Sequence, residues 1–191
     1  AFLPAMMSAG AAIDYSRDAC PPFLGYLPLH PLPGDFKCRD WNAKVVERAK
    51  GADVVVLVAR WNADIAGDGE HGVVEGFRAT LRMLTHDVRR VIVIGATPEL
   101  RDQVPRCIRK HAIAECSIPR REFDRIDASV MADIHHAAAG LPNVEFVDMA
   151  GFFCKATECP AVRNGVPLYV DSHHISHAAA KIYADAFVRG K

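Results

Sequence analysis

A three-layer α/β/α sandwich around a parallel sheet is the fold class this sequence predicts, on three observations. Runs of β-branched residues recur without polar alternation, as in strands buried on both faces. Helix-length stretches separate those runs, and the spacings suit right-handed crossovers between parallel strands. Residues 53–59 (D-V-V-V-L-V-A) are the clearest strand, and residues 90–95 (R-V-I-V-I-G) repeat the signal. Residues 144–148 (V-E-F-V-D) form a third run, and residues 11–15 a weaker fourth. Helices are expected over residues 41–50, 73–85, 122–140 and 176–189. Pro21 to Pro33 is proline-rich and reads as a rigid loop between Cys20 and Cys38.

In such folds chemistry collects at the carboxyl ends of the strands. That places Arg60-Trp61-Asn62, Ala96-Thr97-Pro98 and the segment after residue 148 at the expected cleft. A chain of 191 residues fits one domain with a substantial core. Lys plus Arg equals Asp plus Glu, 23 each, so no net basic surface recommends a nucleic-acid partner. The apolar start, residues 1–13, has no basic leader and is shorter than the roughly 20 residues of a membrane span. Any export signal or tether is expected outside it.

The cysteines, Cys20, Cys38, Cys107, Cys116, Cys154 and Cys159, fall into three sequence-local couples, each bracketing a loop rich in proline or polar residues. No couple has C-x-x-C spacing and no histidines follow at finger-like distances, so disulfides fit better than zinc. Nearest-neighbour pairing is expected, and with it an oxidising compartment. Buried free thiols in a cytosolic protein are the alternative.

The chemistry concentrates at residues 168–176, L-Y-V-D-S-H-H-I-S, directly before an Ala-rich helix. Asp171, three residues before His174 on a turn entering a helix, can accept a hydrogen bond from the imidazole Nδ1–H and leave Nε2 facing the cleft as a base. The alternative makes Asp171 a turn former and the histidines solvated surface residues, and Ser176 is the N-cap under either reading. Asp53 and Asp148, at strand ends, are too few and too separated to argue for a metal.

At these residues the chain resembles the SGNH hydrolase superfamily, whose last block is D-x-x-H. It is most similar to the extracytoplasmic SGNH domain fused to membrane-bound acyltransferase family-three proteins, which modify bacterial cell-surface carbohydrates. The features that carry the resemblance are Cys20-Pro21-Pro22 with a downstream cysteine, residues 56–61 (V-L-V-A-R-W), Pro105-Arg106-Cys107-Ile108, and the Cys154/Cys159 couple ahead of the D-x-x-H block. Together they span residues 20–184 and are far more specific than D-x-x-H alone.

The resemblance implies a flavodoxin-like parallel sheet and an acyl-enzyme route: a serine attacks the acyl donor, His174 takes the proton, and Asp171 holds the imidazolium. The motif's two intervening residues select His174 over His173. His30, His86, His111, His135 and His177 have no acidic residue in that register, and His71 and His136, which do, are read as surface or helix histidines. The superfamily's oxyanion asparagine lies in a G-x-N-D block, where this chain reads A-R-W-N. Asn62 is the nearest donor, Arg60 or Trp61 can shape the cleft, with Trp61 read as packing, and Gly25 can stand for the second-block glycine. No cofactor and no metal are implied.

In that family the serine ends the first strand and opens the first helix. Residues 1–9 read as that helix without its start, and neither Ser8 nor Ser16 sits at a strand-to-helix turn. The first strand, with a G-D-S-H-like serine motif, is therefore expected upstream of Ala1, as are the transmembrane spans of a partner domain in the same polypeptide. The expected function is transfer of an acetyl-like group to a cell-surface carbohydrate hydroxyl at the periplasmic or extracellular face of the membrane. A secreted carbohydrate O-acetyl esterase and an inactive glycan-binding module are the alternatives.

Overall fold

In a computed structural model, residues 12–27, 32–66 and 72–189 are described here, with side chains through residue 184. They group into two compact units. One comprises Ser16–Ala96 and Arg125–Met149; the other contains Thr97–Asp124 and Ala150–Lys191.

The first unit is built on a parallel sheet of three strands, β1 (Val54–Leu57), β2 (Arg90–Ile94) and β4 (Val144–Val147), in the order β1-β2-β4. Val55 pairs with Val91, and Val93 with Phe146. Successive strand residues point to opposite faces. Val91, Ile92, Val93 and Ile94 are nevertheless all at most 3 % exposed, so β2 is covered on both sides. Helices α1 (Pro33–Arg48), α2 (Trp61–Ala66) and α3 (Val73–Asp87) belong to this unit, with most of α5 (Arg120–Ala138). The apolar face of α3 buries Val73, Phe77, Leu81 and Leu84. Arg78 on α3 donates to the carbonyls of His136 and Ala137 at the end of α5, at 3.0 and 3.1 Å, which caps that helix.

Trp61 is fully buried. Its indole Nε1–H donates to the Ile94 carbonyl at 2.6 Å and its ring lies 5.0 Å from that of Phe77. It therefore locks the end of β1 to the end of β2 and is a packing residue.

Two departures from the sequence reading lie here. The helix expected from residue 41 begins at Pro33, inside the stretch expected to be loop. The reason is local: proline is suited to a helix's first turn, and Asp35 accepts the Leu32 N–H at 2.6 Å, so Pro33 opens the helix. The strand expected at residues 11–15 is not one over residues 12–15, which have no regular structure; residue 11 lies outside the described residues. Ile13 is 73 % exposed beside Asp14, so this run offers no face to bury. The helix expected at residues 1–9, as well as His30 and His71, also lies outside the described residues.

The second unit has short elements: α4 (Val104–Lys110), a 3₁₀ turn (Ile113–Cys116), β3 (Ile118–Pro119), α6 (Ala150–Phe153), β5 (Glu158–Cys159), β6 (Val162–Arg163), β7 (Val166–Pro167) and α7 (His177–Arg189). β3 pairs antiparallel with β5, and β6 with β7. Asn164-Gly165 joins the last pair with φ of +51° and +79°, the positive values a tight two-residue hairpin requires. Tyr169, Leu168, Phe153 and Tyr183 form its core. Disulfides join Cys20 to Cys38 in the first unit, and Cys107 to Cys116 and Cys154 to Cys159 in the second.

Candidate active site

The segment before α7 folds back on itself. Tyr169 bridges Ile175 in antiparallel fashion, Val170 N–H donates to His174 O at 2.9 Å, and Ser176 N–H donates to Leu168 O at 2.8 Å. Residues 170–174 are thereby pinched into a short loop whose base, Leu168 and Tyr169, is buried at 1 % exposure. Burial raises the Tyr169 hydroxyl far above its ordinary pKa, so this base stays uncharged. Ser176 closes the loop and opens the helix: its hydroxyl donates to Pro167 O at 2.7 Å and accepts the Ala179 N–H at 3.1 Å, as an N-cap does. Two further backbone bonds fix the loop from outside. Leu100 N–H reaches Ser172 O at 2.7 Å, and Val104 N–H at the start of α4 reaches Asp171 O at 3.1 Å.

Within this loop Asp171 organises everything. Its Oδ1 accepts the backbone N–H of His173 at 2.8 Å and of His174 at 2.7 Å, and its Oδ2 faces His174 Nδ1 at 2.6 Å. Partial burial opposes ionisation, but the His173 and His174 backbone N–H groups and the two imidazoles outweigh it. They hold the carboxyl well below the usual carboxylate range. In the neutral ring an anionic Asp171 favours the tautomer with hydrogen on Nδ1, which leaves the lone pair on Nε2. The His174 side chain is 68 % exposed.

His173 is held differently. Its Nδ1 lies 3.8 Å from Asp171 and 3.1 Å from the Ser172 hydroxyl, and its ring rests 4.2 Å from that of His174. Geometry therefore gives the carboxylate to His174 and makes His173 its neighbour. Asp171, His173 and His174 also place one potential metal-ligand atom each within 4.8 Å of the others. For His174 Nδ1 to bind an ion, it would have to give up its bond to Asp171.

Asn62, Arg60 and Gly25 belong to the other unit. Asn62 lies on α2, and its Oδ1 is buried without a hydrogen-bond partner among the described residues. Arg60 is exposed just before α2, and its carbonyl accepts the Ala63 and Asp64 N–H groups at 2.9 Å. Gly25 is exposed at φ +73°, a conformation that favours glycine. Asp53, considered for a cation, is paired with Arg89.

The backbone bonds from Leu100 and Val104 have no signature in the sequence, since each depends on chain segments brought together by folding.

Comparison with known proteins adds three findings. No curated protein sequence matches the chain significantly. Among solved structures it is similar to the periplasmic domain of a lipopolysaccharide acetyltransferase from Salmonella ser. Paratyphi A, with a TM-score of 0.65 at 16 % identity, over 90 % of this chain and 69 % of that one. That likeness establishes the fold shared by the two. The model of the SGNH domain fused to AT3 domains matches residues 4–189, nearly the whole chain and the D-x-x-H loop with it, and to that family the protein belongs.

Proposed function

We propose that the chain is the extracytoplasmic acyl-transfer domain of an O-acyltransferase that delivers an acetyl-like group to a carbohydrate hydroxyl at the cell surface. The observation that carries this reading is the 2.6 Å contact between Asp171 Oδ2 and His174 Nδ1 of a largely exposed imidazole. Membership of a family fused to AT3 domains supports a membrane acyltransferase partner in the same polypeptide. The disulfides and the periplasmic origin of the structural neighbour support an extracytoplasmic location. Among the described residues, no helix is long and apolar enough to cross a membrane.

The chemistry follows from the dyad. His174 Nε2 removes the proton from a serine hydroxyl as the oxygen attacks the acyl carbon, and Asp171 stabilises the imidazolium that forms. The tetrahedral oxyanion is met by backbone N–H groups. Collapse expels the donor, which takes the proton from His174, and leaves an acyl-serine. A sugar hydroxyl then attacks, His174 accepts its proton, and the serine leaves with that proton restored. The hydroxyls of Ser129 and Ser176 donate to backbone carbonyls, Ser117 accepts the Ala161 N–H, and Ser172 faces His173. None of these contacts is made to His174, and the nucleophile is assigned to a serine outside this set.

The exposure of His174 also admits water, so a carbohydrate esterase is the second reading. Incubating the whole protein with a labelled acetyl donor and a glycan acceptor separates them. Label on the glycan supports transfer; label released as acetate with or without acceptor supports the esterase; neither outcome, with a folded protein, defeats both.

A further inference from the structure

We propose that Asp171, His173 and His174 form a three-ligand site for one zinc ion, and that the ion switches the Asp171–His174 dyad off. The site stands on the geometry of the loop; the inhibition rests on the acyl-transfer reading. That reading leaves a second imidazole without a task. His173 is largely buried, with its ring 4.2 Å from that of His174 and its Nδ1 3.8 Å from Asp171 Oδ1. The same nitrogen faces the neutral Ser172 hydroxyl at 3.1 Å, a contact that an ion can replace.

The loop supplies the spacing that a tetrahedral ion needs. Zinc holds nitrogen and oxygen ligands at about 2.0–2.2 Å, which sets its ligand atoms about 3.3 Å apart. Asp171 Oδ2 lies 2.6 Å from His174 Nδ1, and Oδ1 lies 3.8 Å from His173 Nδ1. One ligand atom of each residue falls within 4.8 Å of the others. Opening the first pair and closing the second are side-chain movements. The backbone beneath them is fixed by Val170 N–H on His174 O, Leu100 N–H on Ser172 O and Val104 N–H on Asp171 O. Ligands ordered in advance reduce the entropic cost of binding. Oδ1 holds the His173 and His174 backbone N–H groups, so Oδ2 is the oxygen that exchanges its imidazole for the ion. The exposure of His174 gives the ion entry and leaves its fourth position to water.

The donor set selects the ion. Two imidazoles and a carboxylate suit zinc, cobalt and copper, whereas magnesium and calcium take oxygen ligands. Coordination at His174 Nδ1 moves one hydrogen: Nδ1 gives its own to solvent and Nε2 takes one up, so the ring stays neutral. With hydrogen on Nε2, His174 cannot accept the proton of an attacking hydroxyl. The Asp171 carboxylate, turned to the ion, no longer stabilises an imidazolium. Zinc is thus an inhibitor and takes no part in the reaction.

The test uses the intact protein at one pH, with cobalt(II) as visible probe and zinc chloride as inhibitor. Cobalt should give the absorption of a four-coordinate ion, abolished by one equivalent of zinc. Zinc should slow 4-nitrophenyl acetate hydrolysis, a chelator should restore it, and magnesium should leave it unchanged. His173→Ala should keep most ester turnover in the absence of zinc. The same variant should weaken both zinc inhibition and cobalt binding by about tenfold or more, at least what a metal loses with one supporting group. His173→Gln serves if His173→Ala melts early. Equal zinc inhibition or equal cobalt binding in wild type and a folded His173 variant would overturn the proposal. So would the absence of cobalt absorption, or ester turnover that zinc leaves unchanged. Cobalt absorption that depends on His173, in a protein that hydrolyses no ester, keeps the metal site and sinks the acyl-transfer reading with the inhibition that rests on it.

Discussion

Asp171 divides its carboxylate between two tasks, one oxygen holding the loop backbone and the other orienting the His174 ring. Its variants should therefore touch both stability and rate. His174→Ala is expected to lower turnover of a model acetyl ester by roughly a thousandfold or more, because proton transfer is lost. Asp171→Asn should fall between that variant and wild type, and His173→Ala should keep most activity. Steady-state kinetics on the three variants checks the order, and an inactive His173→Ala beside an active His174→Ala would reverse the assignment. The pH dependence carries a definite sign. The folded-state pKa of Asp171 is depressed, so its stabilisation is present above the unfolded value of about 3.9 and is lost as pH falls through the lower folded value. Urea midpoints should thus separate wild type from Asp171→Asn at pH 6 and converge as the pH drops below about 4.

At the level of elements, α3 approaches the segment at residues 23–26 so closely that a side chain at Gly76 has no room. A Cβ there would stand 3.0 Å from Tyr26 Cβ and 3.2 Å from Phe23 Cβ. The same contact is fixed by the Leu24 N–H to Gly76 O bond at 3.0 Å, so the backbone cannot simply slide away. Gly76→Ala should destabilise by about 1–3 kcal/mol, the usual cost of overpacking, despite alanine's better helix propensity. Chemical denaturation measures it, and a stabilised variant would show that the 23–26 segment yields.

For the whole molecule, the cross-links are the largest single lever outside the core. All six cysteines are paired, with sequence separations of 18, 9 and 5 residues. Restriction of the unfolded chain predicts about 3 kcal/mol for Cys20–Cys38 and about 2 kcal/mol for Cys154–Cys159. Replacing each pair by serines should lower the midpoint of denaturation in that order, most for Cys20–Cys38. Mass spectrometry of non-reduced peptides should recover the three local linkages. A cross-couple linkage or free thiols in the protein would remove the support for an oxidising compartment.

Periodicity and motif carried much of this protein's reading. The β-branched runs marked the three parallel strands, although only β2 is buried on both faces: β1 is largely half-buried and β4 exposes Glu145. D-x-x-H marked Asp171 and His174 because a three-residue spacing on a turn is short enough for local geometry to dictate the contact. Elsewhere local preference misled or was silent. Proline at residues 31 and 33 suggested loop where one of them begins a helix, and the Asn164-Gly165 signal was passed over because its strands are two residues each. Only the tertiary structure decided that Leu100 and Val104 clamp the Asp171–His174 loop, that Trp61 bolts β1 to β2, and that Asp35, Arg39, Tyr26 and Asp64 share one cleft. Those contacts join residues tens of positions apart, and their energies come from burial and from backbone groups that every residue possesses, so no local pattern records them.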